Sequence, residues 1–198
     1  MPTFYIDLDR TTFRTERVNV LYETLQKLYP DNAAIAQGYT SRTDYYVLSS
    51  DHDGDGDRLY CHDFGAQLAA MGLDTDEVYT ALLARLGDGQ FEYPGTRELV
   101  EAARAKGEVK VLTYGTDNYQ RFKAALCPSL KGIEVITVLE PKSHYLNMYA
   151  HDGDWMIDDK ELLNVKVGVR VVRVGHGDRV TAKTSSLEDV VARIVAEA

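Results

Sequence analysis

Basic residues are in short supply. The 22 Lys and Arg are outnumbered by 31 Asp and Glu, leaving a net charge of -9 and a pI near 5.0. A broad face for nucleic acid needs many cations to neutralise phosphates, so that class of partner is excluded. A single small anion remains compatible where a metal ion or a local cluster reverses the sign. Cysteine is also scarce: Cys61 and Cys127 are the only two, which rules out a disulfide scaffold, allows one bridge at most and makes reduced thiols the default. No apolar run approaches the roughly 20 residues that cross a bilayer, so no membrane partner is expected. The opening MPTFYIDLDR lacks the basic-then-apolar order of a secretory leader. The expectation is a cytoplasmic protein.

What is present is ordinary for a globular chain of 198 residues, enough for one large domain or one core carrying a smaller insertion. Thr3–Ile6 (TFYI) is apolar, rich in strand formers, and gives way abruptly to Asp7-Leu8-Asp9-Arg10-Thr11-Thr12. It predicts a short buried strand ending in a polar loop. Comparable runs occur at 110–114 (KVLTY), 134–138 (EVITV), 155–157 (WMI) and 169–174 (VRVVRV).

Between them lie helix signals. Thr96 is placed to cap a helix over 97–106, with Leu99, Val100 and Ala103 on one face and Gly107 at its end. Ser185 and Glu188 have capping-box spacing before the stripe Leu187, Val190, Val191, Ile194, Val195. Alternating strands and helices predict an α/β class with a mainly parallel, Rossmann-like sheet. About a hundred residues separate Asp9 from Thr113, whereas a βαβ unit needs about 30. Residues 14–92 therefore read as an inserted small helical cap domain, on the leucine spacing of 18–28, 64–71 and 78–86, with 1–13 and 93–198 as the core.

Asp7 and Asp9, Thr113, Lys142, and the Asp158-Asp159 pair all fall at or just beyond apolar strands. In an open α/β sheet such loops converge on one crevice. Their types suit phosphoryl transfer, in which a carboxylate nucleophile needs a divalent cation and fixed positive donors to approach a charged phosphate ester. Aspartate oxygens are what Mg²⁺ prefers. Thr113 would donate to a phosphoryl oxygen, and Lys142 would neutralise charge. Each motif alone has a plainer reading: Asp is a common turn former, Thr a capping hydroxyl and Lys a solvated side chain.

Taken in order, Asp7-x-Asp9-x-Thr11, Thr113, Lys142 and Asp158-Asp159 resemble the four motifs of the haloacid dehalogenase-like hydrolase superfamily, spanning residues 3 to about 175. The insert resembles that superfamily's C1 cap. The resemblance implies that Asp7 attacks phosphorus to form an aspartyl phosphate, and that Asp9 protonates the leaving group and then activates water. It implies a Mg²⁺ site of Asp7, the Asp9 backbone carbonyl and Asp158, with Asp159 acting through a metal-bound water or by orienting its neighbours. Asp9 favours a phosphatase over a dehalogenase. The implied activity is hydrolysis of a small phosphorylated metabolite, with transfer to another acceptor, as in a phosphomutase, as the alternative. Arg10 stands where many members have Gly or Asp, and Lys142 lacks the Lys-Pro pair common in this cap class. Lys123 and Lys131 are weaker candidates for the lysine role, because neither follows an apolar strand.

Several features stand apart. Asp51–Asp57 spaces oxygens like the first half of a Ca²⁺ loop, but His62 takes the twelfth position, and a solvated turn is the plainer reading. Cys61 and His62 near His52 match no standard zinc spacing. Tyr39, Tyr45, Tyr46 and Tyr60 are candidates for pocket lining or for packing. His144 and His151 lie between two motifs, and Trp155 reads as core. A response-regulator receiver uses similar residues but in the reverse order, and a partner-binding protein would not need the whole acidic set.

Overall fold

The run TFYI is β1 (Thr3–Ile6), and the chain then leaves the sheet for a long excursion. The structure, a computed structural model, describes residues 1–52 and 56–197. The excursion begins with α1 (Asn19–Leu28), burying Leu21 and Leu25 one turn apart, and α2 (Ala33–Ser41), where the Ala34 N–H donates to the Asn32 side chain at 3.1 Å. A hairpin follows, β2 (Tyr46–His52) antiparallel to β3 (Arg58–His62). It leads into α3 (Phe64–Ala70) and α4 (Thr75–Leu86). Asp63 caps the first by accepting from Ala66 N–H, and Asp74 caps the second by accepting from Glu77 N–H, both at 2.9 Å.

The apolar spacing foretold α1, α3 and α4 but not α2, and the hairpin adds two strands to a mostly helical reading. Its strands mix Tyr, Ser and Asp, and the pairing shifts register between Leu48 and His52, so no sustained alternation marks it in the sequence. The suggested Ca²⁺ loop includes Asp53, Gly54 and Asp55, which lie outside the described residues.

Beyond residue 93 come α5 (Thr96–Lys106), β4 (Glu108–Tyr114), α6 (Asp117–Ala125), β5 (Glu134–Val138), α7 (Lys142–Tyr149), β6 (Trp155–Asp158), β7 (Arg170–Arg173) and α8 (Leu187–Glu197). Two caps differ from expectation. Gly95, not Thr96, is the first cap, at φ 90°, and a β-carbon there would meet Leu187 at 3.2 Å. Thr96 is buried inside the first turn. At the other end the capping box lies one residue later: Asp189 N–H donates to Ser186 Oγ at 3.1 Å, and Ser186 N–H donates to the Asp189 carboxylate at 3.2 Å. Ser185 is instead held beside Val174 in a strand-like bridge.

The five sheet strands run in the order β5-β4-β1-β6-β7, every pair parallel. Alternation along them sends side chains to opposite faces. Phe4, Ile6, Val111, Trp155 and Ile157 join one apolar cluster, while Tyr5, Leu112 and Met156 join another with Leu146 and Ala150 at α7. Both faces are thus covered, as a parallel sheet requires. The first cluster continues without a break into Leu21, Leu25, Phe64, Leu68 and Leu82 of the excursion. Tyr79 of α4 stacks on Phe122 of α6, with centroids 4.3 Å apart and planes at 12°. The two passages between sheet and excursion run side by side, Arg14 N–H donating to Phe91 O at 2.7 Å and Tyr93 N–H to Thr12 O at 2.9 Å. Among the described residues, no helix is long and apolar enough to cross a membrane.

Candidate active site

Because β1, β4 and β6 are parallel neighbours, Asp7, Thr113 and Asp158 open at the same sheet edge, where the chain's course reverses from one side of β1 to the other. The loop after β1 is tight: Thr11, Thr12 and Phe13 all donate their N–H to Leu8 O, at 3.3, 3.0 and 2.7 Å. Arg10 holds a left-handed conformation within it, φ 60°, uncommon for a residue with a β-carbon. This turn brings Thr11 back to Asp7, whose Oδ2 accepts from the Thr11 hydroxyl at 3.1 Å. Asp7, Arg10, Thr113 and Asp158 border a cavity of about 610 Å³.

Lys142 is the first residue of α7, not part of a loop. Its ammonium donates to Asp7 Oδ1 and, at 2.7 Å, to Asp158 Oδ2. All three are buried. Burial pushes the Asp7 carboxyl well above the usual carboxylate range; Lys142 opposes this, and Asp158 and Asp159 reinforce it. Burial and then Asp158 likewise raise Asp159. Burial works against the charge on Lys142, but Asp158 and Asp7 outweigh it and hold the ammonium firmly protonated. Arg10 borders the cavity and acts electrostatically on Asp159. The remaining Asp158 oxygen, Oδ1, accepts from Lys160 N–H at 2.9 Å, the local capping role that is the plainer reading of an Asp pair.

Asp7, Asp158 and Asp159 each present an oxygen, and the three oxygens lie within 4.8 Å of one another. Among the described residues no other trio of potential ligands comes so close. Cys61, His52 and His62 form no such group, and both cysteines are free. Three carboxylates around one lysine leave excess negative charge when all are ionised. Oxygen-only donors with uncompensated charge fit a hard divalent cation of the Mg²⁺ type.

The Asp9 carboxylate is not part of that trio. It takes a hydrogen bond from Lys123 Nζ, from the Thr15 hydroxyl at 3.1 Å and from Gln120 Nε2 at 3.4 Å. Burial would raise the Asp9 carboxyl, but Lys123, with the Thr15 and Gln120 bonds, overrides it and holds the group below its usual range. Its side chain is still 31% exposed, so it faces the cavity. Lys123 is 4% exposed, on α6, and the sequence ranked it below Lys142 for want of a preceding strand, without pairing it with Asp9. A signal did exist: Tyr119, Gln120 and Lys123 are spaced to share one face of the helix that follows Thr113. Thr113 is buried and donates to Gln120 Oε1 at 3.3 Å.

Of the other candidates, Tyr39, Tyr46 and Tyr60 line the cavity and Tyr45 does not. His144 borders it and meets Glu140 at 3.0 Å, whereas His151 lies apart, near Asp154. Trp155 is fully buried in the core.

No protein-family model and no curated protein sequence matches the chain. Solved structures do. A protein of Burkholderia xenovorans assigned to the haloacid dehalogenase-like hydrolases superposes with a TM-score of 0.57 at 18% identity, over 96% of this chain and 94% of that one. One of Thermotoga maritima, assigned as a beta-phosphoglucomutase, gives 0.52 at 13% identity over 100% of both. At such identities the likeness concerns the fold. The chain has the fold of the haloacid dehalogenase-like hydrolases.

Proposed function

We propose that the chain is a Mg²⁺-dependent phosphomonoester hydrolase that acts on a small phosphorylated metabolite through a phosphorylated Asp7. The observation that carries this reading is Lys142 bridging Asp7 and Asp158 beside Asp159, at the edge of a cavity large enough for a metabolite. Asp7, Asp158 and Asp159 would hold the ion, which when bound offsets phosphoryl charge and lets a carboxylate approach.

The Asp7 carboxylate attacks phosphorus, the bond from phosphorus to the leaving oxygen breaks, and that oxygen takes a proton from Asp9. Water then attacks phosphorus and gives a proton to Asp9, the bond from phosphorus to Asp7 breaks, and phosphate leaves with the Asp7 carboxylate restored and Asp9 again carrying the proton it began with. Ionised beside Lys123, Asp9 stands in the form that accepts the proton in the second half. Donating in the first half requires it to draw away from that ammonium and to carry a proton when the substrate binds. Lys142 offsets charge at the nucleophile throughout, and Thr113, which donates to Gln120, would donate instead to a phosphoryl oxygen. Residues 14–92 serve as the cap, excluding bulk water and selecting the leaving group.

The test is phosphate release from a panel of phosphomonoesters, with Mg²⁺ and with EDTA. Asp7→Asn is expected to lower release by about 10⁴-fold or more while the folded chain persists. Background rates across the panel in the presence of Mg²⁺ would end the proposal.

A further inference from the structure

We infer that the alcohol of the substrate carries a planar heteroaromatic ring set apart from the phosphate by a sugar, so that the substrate class is the nucleoside monophosphates. This rests on the phosphatase reading and narrows it.

From the Asp9–Lys123 pair outward, one wall of the cavity is a continuous row of rings. Lys123 Nζ lies 4.8 Å from the centre of Tyr119; Tyr119 meets His62 at 5.4 Å; His62 meets Tyr46 at 5.7 Å; and Tyr46 stacks on Tyr60 at 5.0 Å with planes at 21°. All of these residues border the same cavity. Tyr60, at the far end, remains 48% exposed. A ring exposed in a cavity offers a π-face whose burial by a flat ligand is favourable and tolerant of which base is present.

A polyol would call for a different wall, one with carboxylates and amides aimed at its hydroxyls. Several such groups on the cavity's lining are engaged within the protein. Gln120 bonds Tyr114 O and Asp9; Glu16 accepts from Arg14 and Tyr93; Asp51 accepts from the Ser49 hydroxyl; and Glu161 pairs with Arg173. The cavity, about 610 Å³, is in the range of sites that enclose a ligand of many heavy atoms. The row also sets the far ring pair apart from the phosphate. Lys123 bonds Asp9, and Tyr119 and His62 stand between Lys123 and the Tyr46–Tyr60 pair, which calls for a spacer such as a sugar between phosphate and base.

The experiment compares Mg²⁺-dependent phosphate release from adenosine and uridine 5′-monophosphates, ribose 5-phosphate and p-nitrophenyl phosphate. The nucleotides are expected to exceed ribose 5-phosphate by about tenfold or more in kcat/KM. Tyr60→Ala should lower the nucleotide-to-ribose-5-phosphate ratio about tenfold, chiefly through KM, and Tyr60→Phe should restore it. Should Tyr60→Ala fail to fold, Tyr60→Leu keeps apolar bulk without the π-face and gives the same comparison. Equal turnover of ribose 5-phosphate and nucleotides, or a ratio indifferent to Tyr60, overturns the inference. So does a preference for p-nitrophenyl phosphate that depends on Tyr60, since it would put the ring next to the phosphate. If no phosphate is released from any compound, the phosphatase reading fails. Calorimetry with adenosine and ribose then decides the ring separately, with adenosine binding expected and equal or absent binding of both counting against it.

Discussion

Lys123 and Asp9 meet across 114 positions of the chain, the ammonium donating to the carboxylate from a helix that itself packs against the excursion. Tyr119 and Phe122 on the same helix touch Phe64 and Tyr79 of α3 and α4. The group that sets the charge of Asp9 is therefore seated on the surface where the inserted segment rests.

Replacing Lys123 with Met should slow turnover and lower stability by about 1–3 kcal/mol. Breaking a fully buried pair costs about 3–5 kcal/mol, and the partial exposure of Asp9 reduces that figure. Urea unfolding and initial rates measure both effects. Wild-type rates in the variant would mean that Lys123 has no bearing on the chemistry.

Lys142→Met leaves the buried carboxylates of Asp7 and Asp158 facing one another beside the half-buried Asp159. A loss of about 3–5 kcal/mol is expected in metal-free buffer at neutral pH, since Asp7 and Asp158 then lack their shared cation. Part of the loss should return on adding Mg²⁺. A variant as stable as wild type, with or without the ion, would contradict the charge balance described for the site.

Mg²⁺ should raise the thermal midpoint in proportion to the logarithm of its concentration above Kd, because it binds the folded chain alone; at a hundred times Kd the gain is about 2.7 kcal/mol. EDTA should reverse the shift, and Asp158→Asn should abolish it. Differential scanning fluorimetry over a Mg²⁺ series reads this directly, and an unchanged midpoint at every concentration would remove the metal from the proposal.

His62 supplies a pH signature. Burial, against the Gln67 bond, drives its pKa down from 6.5 to about 4. Between those values the unfolded chain binds a proton that the folded chain refuses, so stability should fall as pH drops from 6.5 to 4, by about 2–3 kcal/mol. His62→Phe keeps a ring against Tyr119 and removes the titration. Because His176 is lowered in the same direction, the quantity to measure is the difference in pH slope between wild type and variant. Identical slopes would refute the assignment.

The core strands and the residues at their ends were legible because a short apolar run followed by Asp, Thr or Asp-Asp needs only local chemistry to recognise. The hairpin was not legible, since Tyr46–His52 carries no sustained alternation. Lys123 was not, since its meaning depends on which way α6 is turned. Both caps that moved by one residue did so for packing reasons: Gly95 turns left-handed against Leu187, and Ser185 is held beside Val174.

By itself the sequence determined that Asp7, Thr113 and Asp158 would arrive at one edge of the sheet, because parallel strands deliver their carboxyl ends to the same side whatever else surrounds them. Only the tertiary structure decided that Asp9 would face Lys123 rather than the other carboxylates, and that Tyr119, His62, Tyr46 and Tyr60 would line up into a wall. Those partners come from separate elements, and their directions follow from how helix and hairpin are rotated as apolar faces close over one another. That rotation is a property of the packed core and is written in no single segment.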